Sequence, residues 1–369
     1  MNKTGFGFLR LPLLDPGDKS TIDYLQVNQL VDTYIENGGV WFDTCPTYHE
    51  CFSEVALRKA VVERYPRGAY KIIDKLPGWD AQSYEECCEA ADLQLQRCGV
   101  DYFDIFFLHW LSAEHYEICQ AQDQFRLLRD MKADGRAKAI GFSYHGSPEL
   151  LDRILTDHPE TDYVMMQINY LDWEDSPVMA RRCYETAVRH GKKILVMEPV
   201  KGGMLADLPE KVKTLLRGSR PGDSDAKWAI RFVSSLEHVE TVFSGMNTQQ
   251  QIRDNMAPLN PLTDEEYKLV EQVVSIIREK TAVDCTSCGY CISHCPQNIP
   301  IPQFFELYNS VARDPHELWK IQYIYDRLST EHSSASACIA CRRCEKKCPQ
   351  NLEISSFMKD ISKVFESEE

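Results

Sequence analysis

The sequence predicts an α/β chain, a (β/α)8 TIM barrel followed by a small, mainly α-helical domain, on three observations. Short apolar runs rich in β-branched and aromatic residues alternate with longer stretches of helical period up to about Pro261. Eight such runs fall within roughly 260 residues, the size of a closed eight-stranded barrel, whereas a doubly wound open sheet needs fewer strands and a glycine fingerprint after the first. Beyond Leu262 the pattern changes, and eight of the fifteen cysteines crowd into two short runs.

The predicted strands are Phe6–Leu9, Val40–Asp43, Lys71–Lys75, Phe103–His109, Ala139–Ser143, Val164–Asn169, Lys193–Met197 and Thr241–Ser244, each about the length of a buried strand. Helical stretches fall between them, among them Ser53–Tyr65, Ser83–Cys98, Phe125–Asp134, Ser147–Asp157 and Pro177–His190. Several open on Ser or Pro and close near Gly, as cap chemistry prefers. Thr263-Asp264-Glu265-Glu266 has the form of a capping box, with acids at the positive end of the helix that continues through Tyr267–Ile277. The expected division is a barrel over residues 1–261, a linking segment over 262–284 and a second domain over 285–369.

With 369 residues, 43% of them hydrophobic and 26% charged, the chain has an ordinary globular composition. A formal charge of −15 repels phosphate backbones, and no basic run with interleaved aromatics offsets it, so nucleic acid is not an expected partner. No apolar stretch approaches a membrane span, and the N-terminal segment is broken by Gly and Pro rather than built as a signal peptide; a cytoplasmic, anaerobic setting is expected. In a chain of this size, clustered cysteines point to metal rather than to disulfides.

The strongest chemical signal is Cys285-x2-Cys288-x2-Cys291-x3-Cys295-Pro296, repeated as Cys338-x2-Cys341-x2-Cys344-x3-Cys348-Pro349. Three thiolates spaced by two residues can wrap one [4Fe-4S] cubane, while the fourth, beyond a turn and before Pro, reaches the neighbouring one. Cys285, Cys288, Cys291 and Cys348 are therefore assigned to one cluster, and Cys338, Cys341, Cys344 and Cys295 to the other. Cys-x2-Cys is also a zinc spacing, but zinc pairs rarely need a third evenly spaced Cys. The remaining cysteines, Cys45, Cys51, Cys87, Cys88, Cys98, Cys119 and Cys183, follow no such pattern, and most read as small buried hydrophobes. The spacer between the motifs reads helical through Pro302–Asn309 and Pro315–Leu328 and resembles the α-helical ferredoxin-like iron-sulfur modules of redox enzymes, which implies an electron relay. Arg342, Arg343, Lys346 and Lys347 form a basic knot, read either as a docking patch for an acidic ferredoxin or flavodoxin or as cations offsetting cluster charge.

Four residues at predicted strand ends carry barrel chemistry: Asp43, Tyr48, Lys75 and His109. Reducing a carbonyl needs a proton donor, and a Lys ammonium beside a Tyr hydroxyl favours phenolate and so draws its pKa toward neutrality. Asp43 would hold Lys75 charged, and His109 would orient the carbonyl oxygen. Singly each has a duller explanation: a cap, a half-buried aromatic, a surface charge, a satisfied histidine. Their order and common placement at strand ends favour a working set.

Through Phe42-Asp43-Thr44-Cys45-Pro46-Thr47-Tyr48, Ile73-Asp74-Lys75 and Phe106-Phe107-Leu108-His109 the chain resembles the aldo-keto reductase family, whose tetrad positions are all filled. The likeness continues through Gly141-Phe142-Ser143, Gln167-Ile168-Asn169-Tyr170, Glu198-Pro199-Val200-Lys201-Gly202-Gly203 and Ser244-Gly245 as far as Asn255. The resemblance implies NAD(P)H, with Ser143 and Gln167 at the nicotinamide amide, Gly203 and Leu205 along the pyrophosphate, and Gly245, Gln251 and Asn255 toward the adenine end. Two departures stand out: Tyr144-His145 follows Ser143 where the family usually has Asn, and Met246-Asn247-Thr248 follows Gly245 where a cation commonly meets the 2′-phosphate of NADP.

A hydride carries two electrons and a cluster normally passes one. Three arrangements are therefore open: a flavin splits the pair, the barrel takes single electrons with no nicotinamide, or the clusters serve another partner. The expected function is carbonyl reduction by an iron-sulfur enzyme with this tetrad. The alternatives are a ferredoxin- or flavodoxin-fed reductase that does not use NAD(P)H, and an electron-transfer protein whose barrel is a scaffold. Trp79, Trp110, Tyr144 and Trp173 near strand ends could line a pocket or simply pack.

Overall fold

The computed structural model describes residues 3–174, 178–279, 281–313 and 318–366. The chain divides into two compact units: one contains the strands, and the other gathers Lys201–Asp225 with the chain from Thr263 onward.

In the first unit eight parallel strands close into a barrel in sequence order. They are β1 (Thr4–Gly7), β2 (Trp41–Asp43), β3 (Lys71–Leu76), β4 (Phe103–Leu111), β5 (Ala137–Tyr144), β6 (Tyr163–Gln167), β7 (Lys193–Met197) and β8 (Val239–Ser244), with β1 pairing to both β2 and β8. β4 is buried along all nine residues, as expected of a strand covered on both faces. Side chains alternate across a strand, and the barrel interior is filled by Ile73, Ile105, Phe107, Tyr163, Met165, Leu195 and Phe243, with Trp41, Ala139 and Met197 against them. Asp43, Lys75, His109, Ser143 and Gln167 are in phase with those positions and lie toward the C-terminal ends of their strands, at the mouth where such barrels carry their chemistry. Asp74 is out of phase and faces the helices.

Close packing appears at Gly141, where an added Cβ would stand 2.1 Å from the Tyr163 carbonyl oxygen of the next strand. Local differences from expectation have physical causes. The first strand begins at Thr4 because its backbone pairs with β8 from that residue, and Phe8 and Leu9, expected to be extended, fall in a short 3-10 helix over Phe8–Arg10. The helix expected over Ser53–Tyr65 is regular only through Leu57 and then widens into a π turn over Arg58–Val62. The predicted N-caps Ser83 and Ser147 each accept a hydrogen bond from the third helical N–H. The predicted starts at Pro177 and Pro315 lie outside the described residues; the helices run from Ala180–Arg189 and Leu318–Glu331.

The second unit packs Ile301–Arg313, Leu318–Glu331 and Ile354–Phe365 around a core of Val283, Phe304, Phe305, Ile354, Met358 and Ile361. The capping box forms: Thr263 N donates to Glu266 Oε2 at 2.9 Å, and Glu266 N donates to Thr263 Oγ1 at 3.3 Å. Buried Asn309 accepts from the backbone N–H groups of Ala282 and Val283 and donates to the Val283 carbonyl, which pins the chain just before Cys285. Among the described residues no helix is long and apolar enough to cross a membrane.

Candidate functional site

Lys75 is the centre of the barrel site. Its Nζ donates to Asp43 Oδ1 at 2.5 Å, to the Thr44 carbonyl at 3.1 Å and to Tyr48 Oη at 3.3 Å, and the side chain is 1% exposed. An ammonium has three protons, and here three acceptors take them. Tyr48 Oη is the acceptor in its pair, so its own proton remains available to a further partner. Asp43, Tyr48 and His109 are all buried as well.

Electrostatics at Tyr48 differ from the sequence expectation. Burial, with Asp43, Cys45, Glu198 and Asp74 adding to it, pushes the phenol well above its ordinary value rather than toward neutrality. Desolvation outweighs the ammonium, so Tyr48 stands protonated. Burial pushes His109 well below the usual imidazole range, with Lys75, His145 and His115 lowering it further, so its ring is neutral. Burial also raises Asp43 against the pull of Lys75.

Further residues surround the tetrad, and one of them, Cys45, was not marked in the sequence as part of the site. Cys45 Sγ lies 3.2 Å from His109 Nδ1 and 3.2 Å from Thr47 Oγ1, so a residue whose type reads as a buried hydrophobe holds the histidine ring. Its place two residues after Asp43 was the available signal. Trp79 stands 5.4 Å from the His109 ring and stacks on His115 at 5.0 Å. After Tyr48 the backbone runs left-handed through His49, Glu50 and Cys51 at φ 48, 53 and 73, a run that costs each non-glycine residue about 1–2 kcal/mol. It occurs at the site, where such strain collects. Tyr144 is buried with its hydroxyl donating to the Ser147 carbonyl, and Trp173 packs on Phe232 and Tyr184, so both serve packing.

The residues implied for nicotinamide binding are dispersed. Ser143 Oγ accepts from Trp110 N at 2.7 Å, and Gln167 Nε2 donates to Asp172 Oδ2 at 2.6 Å; both stand at the barrel mouth. Gln251 is exposed and closes a capping box, its Oε1 accepting from the N–H groups of Asn247 and Thr248. Asn255 donates to Ser244 Oγ at 3.1 Å. Gly245 is exposed beside the Arg10 side chain, and Met246 is buried. Gly203 and Leu205 belong to the second unit.

In that unit the eight motif cysteines fall into two groups. Cys285, Cys288, Cys291 and Cys348 line one cavity, and Cys295, Cys338, Cys341 and Cys344 line another. The two halves match in backbone: left-handed residues recur at Ser287 and Ala340 (φ 53 and 52), at Gly289 and Arg342 (φ 81 and 58), and at Asn298 and Asn351 (φ 53 and 52). Such turns aim N–H groups inward and form the anion-binding nests that iron-sulfur sites use; Ser287 N donates to Cys285 Sγ at 3.4 Å. Thiolates around one zinc at its usual bond length would lie about 3.8 Å apart. None of the eight belongs to a trio of ligand atoms within 4.8 Å among the described residues, so the donor set fits a wider cubane better than a single ion. The second group is the more open: Cys341 is exposed, as are Ile339, Arg342, Arg343 and Lys346 around it, with Arg342 Nε 3.8 Å from Glu345 Oε2.

A trio outside the barrel wall, Glu54, Asp74 and Cys98, has its ligand-type atoms within 4.8 Å and is fully buried. Burial and then the Asp74 charge push Glu54 up to about 10 against the pull of Arg97, 3.3 Å away, while burial raises Asp74 only to about 6, because Lys75 and hydrogen bonds from Glu54 and Gln94 pull it back; Glu54 therefore carries the proton and Asp74 accepts it. This pair had no signature in the sequence, because only the fold brings the helix Phe52–Leu57 and the end of Tyr84–Cys98 to the outer face of β3.

The aldo/keto reductase family model matches residues 6–275, and a 4Fe-4S dicluster domain model matches residues 284–353. The NADH-specific methylglyoxal reductase of Escherichia coli (strain K12) is 22% identical over 300 residues, 67% of this chain and 88% of that protein. The structure of aldo-keto reductase AKR11C1 from Bacillus halodurans in its holo form superposes with a TM-score of 0.59 at 23% identity, over 73% of this chain and 91% of its own. An aldo-keto reductase from Klebsiella pneumoniae in complex with NADPH superposes at 0.57 with 16% identity, over 74% and 90%.

Proposed function

This chain belongs to the aldo/keto reductase family and carries a 4Fe-4S dicluster domain, and on that footing we propose that it reduces the carbonyl of a small aldehyde or ketone, with Tyr48 as proton donor. The observation that carries this reading is the bonding at Lys75, which leaves the Tyr48 proton free to meet a carbonyl oxygen. Reduction to the alcohol takes two electrons and two protons. As the carbonyl oxygen gains negative charge it becomes a stronger base than the phenolate, and Tyr48 then gives up a proton that it holds firmly in the resting site. Lys75 stabilises the phenolate that remains, Asp43 holds Lys75 charged, and neutral His109 donates a hydrogen bond that orients the oxygen.

In this reading Cys285, Cys288, Cys291 and Cys348 hold one cluster and Cys295, Cys338, Cys341 and Cys344 the other, and the clusters supply single electrons. Ser143 and Gln167 would hold the amide of a nicotinamide, which when bound would supply both electrons and one hydrogen as hydride while Tyr48 gives the second as a proton; the clusters would then relay single electrons to or from another partner. Replacing Tyr48 with Phe is expected to lower kcat for carbonyl reduction by about 10²- to 10⁴-fold, the usual worth of a positioned acid, with iron content unchanged. Unchanged turnover would remove Tyr48 from the mechanism.

A second reading, a ferredoxin- or flavodoxin-fed reductase that binds no NAD(P)H, is favoured by one feature. The adenine-end side chains Gln251 and Asn255 are committed to the protein, and buried Met246 stands where a cation would meet a 2′-phosphate. Saturable NADPH binding in a fluorescence titration excludes this reading. Quantifying iron, sulfide, flavin and nicotinamide on one anaerobic sample separates both from a flavin-bridged arrangement. A scaffold barrel has no use for a buried phenol beside a Lys–Asp pair, which leaves an electron-transfer protein the weakest of the readings.

A further inference from the structure

Lys201 lies in the sequence between β7 and β8, yet it belongs to the second unit and is fully buried there. Its Nζ donates to Gln350 Oε1 at 3.0 Å, and Gln350 is buried two residues beyond Cys348. The turn that carries it is left-handed at three successive residues, Lys201 (φ 47), Gly202 (φ 67) and Gly203 (φ 108). It is pressed onto the first cysteine loop: an added Cβ at Gly202 would stand 2.2 Å from the carbonyl oxygen of Thr286, the residue after Cys285. Thr286 and Gln350 both line the cavity of the first quartet, so Lys201 stands directly behind its wall, bonded to one of these residues and next in sequence to the glycine that packs on the other.

We propose that Lys201 is a positioning residue whose buried charge raises the reduction potential of the cluster held by Cys285, Cys288, Cys291 and Cys348, and not that of the other cluster. The proposal rests on the assignment of the two quartets. Taking up one electron makes a thiolate-bound cluster more negative by one charge, so a nearby fixed cation stabilises the reduced form more than the oxidised one. Away from solvent that interaction is little screened. Of the other cations in the motifs, half-buried Lys347 also lines the first cavity, whereas Arg342, which lines the second, is exposed, as are Arg343 and Lys346, and all three are therefore screened by water and salt.

The test is a redox titration of the cluster-loaded full chain followed by electron paramagnetic resonance, comparing the native protein with Lys201→Met, Lys201→Gln and Lys201→Arg. In both neutral variants one midpoint is expected to fall so that the reduced-to-oxidised ratio of that cluster at a fixed poise drops about tenfold, about 59 mV for one electron. The other midpoint is expected to stay in place, and Lys201→Arg to remain near the native value. Raising the salt concentration is expected to move the second midpoint more than the first. Two unmoved midpoints, or two that shift together, overturn the proposal. Loss of iron from both neutral variants overturns it as well, in favour of a structural role. A native protein without acid-labile sulfide would instead end the quartet assignment, before any variant is compared.

Discussion

At Tyr48 two opposing influences meet, burial beside Asp43, Cys45 and Glu198 and an ammonium 3.3 Å away, and burial prevails. The residue is thereby kept protonated, as its proposed role of proton donor to a carbonyl requires. On the other side of the same strand, Glu54 holds a proton against Asp74. Its folded pKa is raised above that of an unfolded Glu, so its contribution to stability is complete below the ordinary carboxylate range and is lost as pH rises toward the folded value. Comparing Glu54→Gln with the native chain by urea unfolding at pH 5 and pH 8, the native chain is expected to lose ground by up to about 1.4 kcal/mol per pH unit. A difference that stays constant with pH would place the proton elsewhere. The tetrad was legible in the sequence by residue type and strand-end position. The Glu54–Asp74 pair and the Cys45–His109 contact were not, since each joins elements that only the closed barrel brings together.

The strands were found from their apolar runs because both of their faces are covered, and β7 kept its predicted bounds, Lys193–Met197. Other strand ends moved by one or two residues, and the larger departures, at the first strand and beyond Leu57, are places where backbone pairing and helix widening decide, neither of which leaves a hydrophobic pattern. Close packing between β5 and β6 makes Gly141 a sensitive position. Gly141→Ala places a methyl group 2.1 Å from a main-chain oxygen and is expected to destabilise by about 1–3 kcal/mol, read as a lower urea midpoint with unchanged slope. An unaltered midpoint would mean that the two strands can separate freely there.

Across the whole molecule, a net charge of −15 surrounds a local group of cations beside the more open cysteine group, Arg342, Arg343 and Lys346. The crossed arrangement of the quartets has a direct test: Cys285→Ala and Cys348→Ala should abolish the same cluster signal in paramagnetic resonance. Loss of different signals would mean that each motif holds its own cluster. The number of strands, the filled tetrad positions and the doubled cysteine spacing were determined by sequence alone, because periodicity and ligand spacing are local properties of a chain. Tertiary structure alone decided which way burial drives Tyr48, that Cys45 meets His109, and that Lys201 stands against the first cysteine loop. Those depend on distances and on exclusion of water between residues far apart along the chain, and no pattern of neighbouring residues encodes them.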